Sequence, residues 1–572
     1  MMSRITATLA VVSVLLLVSV RSIRIKSTYG ELEGYQTKSS SGKIVNVFKR
    51  VPYAAPPVGG LRFKKPQPPL TWSGTWNATE YGPACMSNSS TTTSPQKWVD
   101  EDCLHVNIFA GADCMEKACP VVFYIHGSGF NYDSAVMFKD EYLINNFGAN
   151  GIAMVIPGVR LGFFGLLTFD NDDVVPRNLA AYDLLAALQF VKQEIGNFGG
   201  DPDDVTLFGH SGGATAATQF AFSKSVDPDV NVMMSMSMHF ANETLMRELT
   251  MDLAHRAKCL PSHTSMSSAE KITECLRNLG GSEILRIQRE MEEEDVDRRP
   301  EGFVMTPPLF EADNLQTFLD NPPARSIMIG TTAAEFDNSK KNTEDKIVTL
   351  LGLKNAAAVV ARYREDHQEG RLGFNHTTET QLMFLSTYLV AYSIRSGGGK
   401  AFLYSYENKR HAVHTDDLSY VMGVHEFERD PNEKVLAVIY PLLFTNFIKS
   451  GKPRQDWTPL MKGVDNYMYI DVNVFNSTWP HMAQHYNGDV ISYWESMQQF
   501  DEAMSKGAVE VDALRDVTAY DYAAEDTLNL LLVFLPLITV ICTVFVVNFI
   551  VRRHQQMRSH LSEKTPLLIT IK

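Results

Sequence analysis

Two apolar patterns alternate along this chain. Val121-Val122-Phe123-Tyr124-Ile125 is apolar at every position, as in a strand buried on both faces of a parallel sheet. Residues 153–156, 326–330 and 401–406 read as further short strands. Between them, 179–195 places Leu184, Leu185, Leu188 and Val191 at helical spacing, and Gly199-Gly200-Asp201-Pro202 ends the helix. Residues 24–50 read as a β-rich start with a turn at Ser39-Ser40-Ser41-Gly42, and the Pro/Gly-rich 51–69 as loop. The charge run 292–299 reads as a solvated loop. Strands alternating with helices predict a mostly parallel, twisted α/β sheet flanked by helices.

The two ends carry different signals. After Arg4, the apolar run from Ala7 to Val20 stops at Arg21-Ser22. It is short for a membrane span and reads as a cleaved signal peptide over 1–22, an uncleaved anchor being the alternative. Residues 528–551 are almost wholly apolar and long enough to cross a bilayer. Pro536 and Asn548 are tolerable inside such a helix. Arg552, Arg553 and Arg558 then place the tail, 552–572, in the cytoplasm. An acidic stalk, 511–527, precedes the span. The body, 23–510, is therefore expected to be lumenal or extracellular, as in a single-pass type I membrane protein.

Composition fits that placement. Hydrophobic residues make up 45% and charged residues 21%, ordinary for a globular body. A net charge of −14 argues against a nucleic-acid partner. Glycosylation sequons begin at Asn77, Asn88, Asn242, Asn375 and Asn476. Of seven cysteines, Cys542 lies in the expected span, and the rest suit an oxidising compartment. The expected pairs are Cys85–Cys103, Cys259–Cys275 and Cys114–Cys119. No spacing resembles a zinc site, so no metal is expected, and no cofactor.

The sharpest chemical signal is Val205-Thr206-Leu207-Phe208-Gly209-His210-Ser211-Gly212-Gly213, followed by Ala214-Thr215-Ala216-Ala217. A β-run stops at a G-x-S-x-G and a small-residue helix begins. That context makes Ser211 a candidate nucleophile on a tight strand-to-helix turn. The following helix aims its N-terminal amides and positive dipole end at the serine.

Longer blocks carry a family resemblance. Glu101-Asp102-Cys103-Leu104-His105-Val106-Asn107 resembles the E-D-C-L-x-x-N signature of type-B carboxylesterases, the cholinesterase/carboxylesterase family of α/β-hydrolases. His126-Gly127-Ser128-Gly129-Phe130 resembles their H-G-G-G-F loop. Asn197-Phe198-Gly199-Gly200-Asp201-Pro202, the Ser211 block, and Val51-Pro52-Tyr53-Ala54-Ala55-Pro56-Pro57-Val58-Gly59 with Leu61-Arg62-Phe63 are similar to further family blocks. The similarity runs from about residue 24 to about residue 500. The chain is thus identified as a member of that family, which implies an α/β-hydrolase fold, and the apolar stretch 528–551 makes it a membrane-anchored member with one C-terminal transmembrane helix.

The resemblance also implies roles. Ser211 would attack an ester carbonyl. His414, in a block similar to the family's histidine block, would take the serine proton and return it to the leaving alcohol. Glu335, after the strand 326–330, would hold the imidazole. His411 is the nearest competitor of His414. Backbone amides of Ser128, Gly129 and Gly212 would form the oxyanion hole. Ser237 would stand behind the three side chains, and Arg62–Glu101 and Arg160–Asp183 would be structural ion pairs.

Departures from the pattern qualify this reading. Ser128 replaces the middle glycine of the oxyanion loop, and its β-carbon is expected to strain the backbone. His210 replaces the acidic residue usual before the nucleophile. Phe336 and Thr415 each replace a glycine beside a triad member. Loss of the carboxylate at 210 argues against acetylcholine. The expected function is a membrane-tethered serine carboxylesterase acting on small, uncharged or weakly polar esters, in a gorge lined by Phe130, Trp98 and Phe303. Alternatives are acyl transfer from the same acyl-enzyme, or a non-catalytic neuroligin-like adhesion receptor. In the tail, Glu563 with Leu567 and Leu568 fits the E-x-x-x-L-L pattern read by sorting adaptors, which predicts lysosomal or lysosome-related delivery against the plasma membrane.

Overall fold

The apolar runs become strands in a computed structural model, which describes residues 21–506 except 88–93, 224–225, 227–230, 236–239, 261–268, 296–297, 310–318 and 321. Residues 1–20, Asn88, Ser237, Cys542, the stalk, the 528–551 stretch and the tail with Glu563, Leu567 and Leu568 lie outside the described residues. Among the described residues no helix is long and apolar enough to cross a membrane.

In chain order the strands are β1 (Arg21–Lys26), β2 (Glu31–Lys38), β3 (Ile44–Pro52), β4 (Thr75–Asn77), β5 (Ala84–Cys85), β6 (Val99–Asp100), β7 (His105–Gly111), β8 (Cys119–Ile125) and β9 (Ala153–Pro157). They continue as β10 (Gly200–His210), β11 (Asn231–Ser235), β12 (Ser326–Thr332), β13 (Lys400–Tyr406), β14 (Tyr467–Ile470) and β15 (His481–Ala483). The main sheet runs β1-β2-β3-β7-β9-β8-β10-β11-β12-β13-β14-β15, with β4 on β2, and β5 pairs with β6 apart from it. From β9 to β14 every neighbour is parallel, and antiparallel strands flank that block.

Alternation along the strands builds two cores, one on each face. Val121, Phe123, Ile125 and Leu207 join one apolar cluster. Their neighbours Val122, Tyr124 and Phe208 join the other, with Met233, Met328 and Phe402. A strand buried on both sides has no polar face, which is why β8 reads as a continuous apolar run.

Among the described residues, Leu353–Glu365 and those from Ser492 onward form a second compact unit, and the others form the first. Within the second, Tyr363 stacks on Trp494 at 5.3 Å, and the Asp501 carboxylate accepts the amides of Lys354 and Asn355 at 3.0 and 2.6 Å.

Disulfides join Cys85–Cys103, Cys114–Cys119 and Cys259–Cys275, the pairs expected. Arg62 meets Glu101 through two hydrogen bonds of 2.6 and 2.5 Å and also donates to the carbonyls of Leu276 and Leu279. Arg160 meets the fully buried Asp183 at 2.8 and 2.6 Å. Both are buried, hydrogen-bonded pairs, the form in which interior charges are tolerated.

The charge run differs from expectation. Its first residues, 292–294, end the helix Gly281–Glu294, whose buried side is Ile284, Leu285, Ile287, Gln288 and Met291. The helical spacing of those residues prevails, and the acidic residues occupy its outer face.

Candidate active site

The site gathers at the carboxyl edge of the parallel block, where loops leaving neighbouring strands converge. Ser211 follows β10, Glu335 lies three residues after β12, and His414 lies on the loop after β13. The 126–130 loop follows β8, which is paired with β10.

The turn at Ser211 is forced by close backbone approach. Ser211 has φ 57° and ψ −127°, at the start of the buried helix Gly212–Phe222. A β-carbon on Gly209 would lie 2.1 Å from the Gly213 carbonyl oxygen, and one on Gly213 would lie 2.0 Å from that of Ile125. Both positions therefore require glycine, and the strand can turn into the helix only there.

Three distant side chains meet at this turn. His414 Nε2 lies 3.1 Å from Ser211 Oγ, and His414 Nδ1 lies 2.8 Å from Glu335 Oε2. The other Glu335 oxygen accepts the Thr332 amide at 2.8 Å, and the residue is only 1% exposed. Backbone bonds zip the two loops together: the His414 amide donates to the Glu335 carbonyl and the Ala334 amide to the Ala412 carbonyl, at 2.8 and 2.9 Å. His411 turns away. Its Nδ1 lies 2.5 Å from Glu433 Oε1, and its ring stacks on Phe427.

Next to Ser211 the 126–130 loop and the helix start touch. A β-carbon on Gly212 would fall 2.7 Å from both the nitrogen and the Cα of Gly129. Their backbones thus share one small space beside the serine. Among the described residues, no acceptor is bonded to the amides of Ser128, Gly129 or Gly212. Ser128 sits at φ 66°, so the expected backbone cost is present. Its hydroxyl is shared between the carbonyls of Gly127 and Tyr132, each at 2.5 Å, and so ties the loop to itself.

Sequence reading missed a strap over this loop, residues 299–303. The Gly302 amide donates to the Gly129 carbonyl at 2.7 Å, Asn131 Nδ2 donates to the Pro300 carbonyl at 2.8 Å, and Phe303 stacks on Phe130 at 4.6 Å. Glu301, paired with Arg299, lies against Gly129. Gly302, at φ 77°, was the available signal. Phe130 and Phe303 are buried against one another, whereas Trp98 is largely exposed.

Two rings flank His414. His210 lies 5.0 Å away with its plane inclined by 20°, and Phe336 lies 4.5 Å away, inclined by 31°. Burial pushes protonation of His210 well below the usual histidine range, and the nearby His414 and His425 add to the effect. Burial lowers His126 to about 4. Thr415 holds φ 81°, a glycine-like conformation on a β-branched residue. Among the described residues no group of three or more His, Cys, Asp or Glu could hold a metal ion.

Comparison with known proteins gives relatives of the chain as a whole. A family model described as "Carboxylesterase family" matches residues 21–494. Carboxylesterase 5A of Mus musculus is 27% identical over 482 residues, covering 75% of this chain and 82% of that protein. Gut esterase 1 of Caenorhabditis briggsae is 35% identical over 199 residues, a match that spans 35% of this chain and 34% of that protein. Among solved structures, juvenile hormone esterase from Manduca sexta has a TM-score of 0.70 at 20% identity, covering 84% of this chain and 100% of that one. That likeness carries the α/β-hydrolase fold.

Proposed function

The chain belongs to the carboxylesterase family, and from that premise we propose that it hydrolyses small carboxylic esters through an acyl-enzyme on Ser211. The observation that carries the reading is the pair of contacts at His414, 3.1 Å to Ser211 and 2.8 Å to Glu335.

Ser211 Oγ attacks the ester carbonyl while His414 Nε2 takes its proton. Negative charge then grows on the carbonyl oxygen, where the amides of Ser128, Gly129 and Gly212 receive it. Glu335, fixed by the Thr332 amide, keeps Nδ1 protonated and balances the imidazolium. His414 returns the proton to the leaving alcohol. Water, activated by the same ring, releases the acid and restores the serine. An intact set of three side chains favours hydrolysis over a purely adhesive role.

The body is held at a membrane surface by residues 528–551, with the signal peptide 1–22 directing it across. Four sequon asparagines, Asn77, Asn242, Asn375 and Asn476, are exposed, which supports glycosylation of a lumenal face. The tail motif Glu563, Leu567 and Leu568 supports delivery to lysosomes or related organelles. Retention of that distribution after Leu567→Ala with Leu568→Ala would remove the sorting reading.

Turnover of p-nitrophenyl butyrate by the full chain tests the activity. Hydrolysis should disappear in Ser211→Ala; equal turnover by both chains would sink the proposal.

A further inference from the structure

Two rings, those of His210 and Phe336, flank His414. They come from different parts of the sheet. His210 ends β10 and Phe336 follows β12, and β11 runs between those strands. Each ring lies within about 5 Å of the His414 ring, yet among the described residues they make no ring contact with each other. They therefore approach His414 from different sides.

We propose that His210 and Phe336 form an aromatic clamp that holds the His414 imidazole in line between Glu335 and Ser211 and faces the imidazolium formed in catalysis with uncharged π systems. This rests on the reading of Ser211, Glu335 and His414 as a catalytic set. His210 and Phe336 are positioning residues, since neither touches the reacting serine oxygen.

Each half of the clamp is fixed from behind. Phe336 is pinned through its backbone: its amide donates to Thr380 Oγ1 at 2.9 Å, and its carbonyl accepts from Thr377 Oγ1 at 2.9 Å. His210 is only 6% exposed, at the end of a buried strand. Its Nε2 has no hydrogen-bond partner among the described residues, so a proton there would go unstabilised. The ring stays neutral where a charged one would repel the imidazolium.

A π face attracts a cation. Phe336 therefore favours the imidazolium that forms as His414 takes the serine proton. The other titratable groups around this ring are Glu335 at Nδ1, His210 on β10, His411 and Asp416 on the same loop, and the exposed His425. Of these, His411 is engaged by Glu433, and burial raises Asp416 above the usual aspartate range.

The test is the pH dependence of fluorophosphonate labelling of the full chain. In that reaction the Ser211 oxygen displaces fluoride from phosphorus, and its proton passes to His414. Phe336→Leu should label about threefold to thirtyfold more slowly than wild type. Its acidic limb should move to lower pH by about half a unit to one unit. Phe336→Tyr should restore both. His210→Glu, which places a carboxylate beside the ring, should move the acidic limb to higher pH. Wild-type rates and an unmoved limb in both Phe336→Leu and His210→Glu would overturn the clamp alone. A wild-type chain that is not labelled at any pH would overturn the Ser211 reading, and the clamp with it.

Discussion

His414 Nε2 stands 3.1 Å from Ser211 Oγ although 203 residues separate them in the chain. Neither side chain is placed by its own segment alone. Close glycine packing at Gly209 and Gly213 fixes Ser211, and the backbone bond from the His414 amide to the Glu335 carbonyl fixes His414. The contact therefore depends on β10, β12 and β13 keeping their positions in one sheet.

Glu335→Gln tests the orienting role of the carboxylate. The amide is nearly the same size, and its oxygen can still accept the Thr332 amide. It can also present an NH₂ to Nδ1, which favours the wrong tautomer. The expected fall in kcat is about 10⁴-fold with an unchanged melting temperature. A fall of less than tenfold would remove Glu335 from the proposed set.

Gly212→Ala tests the oxyanion space. The added carbon falls 2.7 Å from the Gly129 nitrogen, so the two amides can no longer share one oxygen. Stopped-flow or steady-state kcat should drop about a hundredfold to a thousandfold. Unchanged kcat would place the oxyanion elsewhere.

Acid should weaken the fold. Burial pushes His105 to about 3 and His126 to about 4, from an ordinary value of 6.5. Between those limits the unfolded chain takes up protons that the folded chain refuses, so stability is present above pH 6.5 and is lost as pH falls. At pH 5 each of the two costs about 2 kcal/mol relative to neutral pH. Raised carboxylates at Asp416 and Glu407 act in the opposite sense. Urea unfolding at pH 7 and pH 5 measures the balance. His105→Asn should shrink the difference between those two values; an unchanged difference would contradict the assignment.

The disulfides should contribute according to the loops they close. Cys85–Cys103 spans 18 residues and Cys114–Cys119 spans 5. Chain-entropy arguments give about 3 kcal/mol for the first and about 2 kcal/mol for the second. Paired Cys→Ser replacement and chemical denaturation should reproduce that order, and the reverse order would show that native-state effects dominate.

Much of this architecture was legible because its strands are buried on both faces. β8, β9, β12 and β13 carry apolar runs that have few other uses. Ser211 was legible because three glycines within five residues, between a strand and a helix, serve close backbone approach. Glu335 and His414 were legible only through longer blocks, since the hydrogen bonds joining them cross 79 residues. The 299–303 strap was not legible. Its anchors are backbone groups and an exposed-looking charge run, and only the folded loop gives Arg299, Glu301 and Phe303 a common target. The flanking of His414 was likewise hidden: His210 and Phe336 registered as departures, and their shared function requires the sheet order that brings both to one ring.

The most direct measurement is the covalent intermediate itself. The full chain would be mixed with p-nitrophenyl acetate, quenched in acid during turnover, digested, and read by tandem mass spectrometry. The account predicts an acetyl group on the Ser211 peptide and nowhere else at comparable occupancy, and its loss in His414→Ala. Steady hydrolysis with Ser211 unmodified and the acyl group on another residue would contradict it.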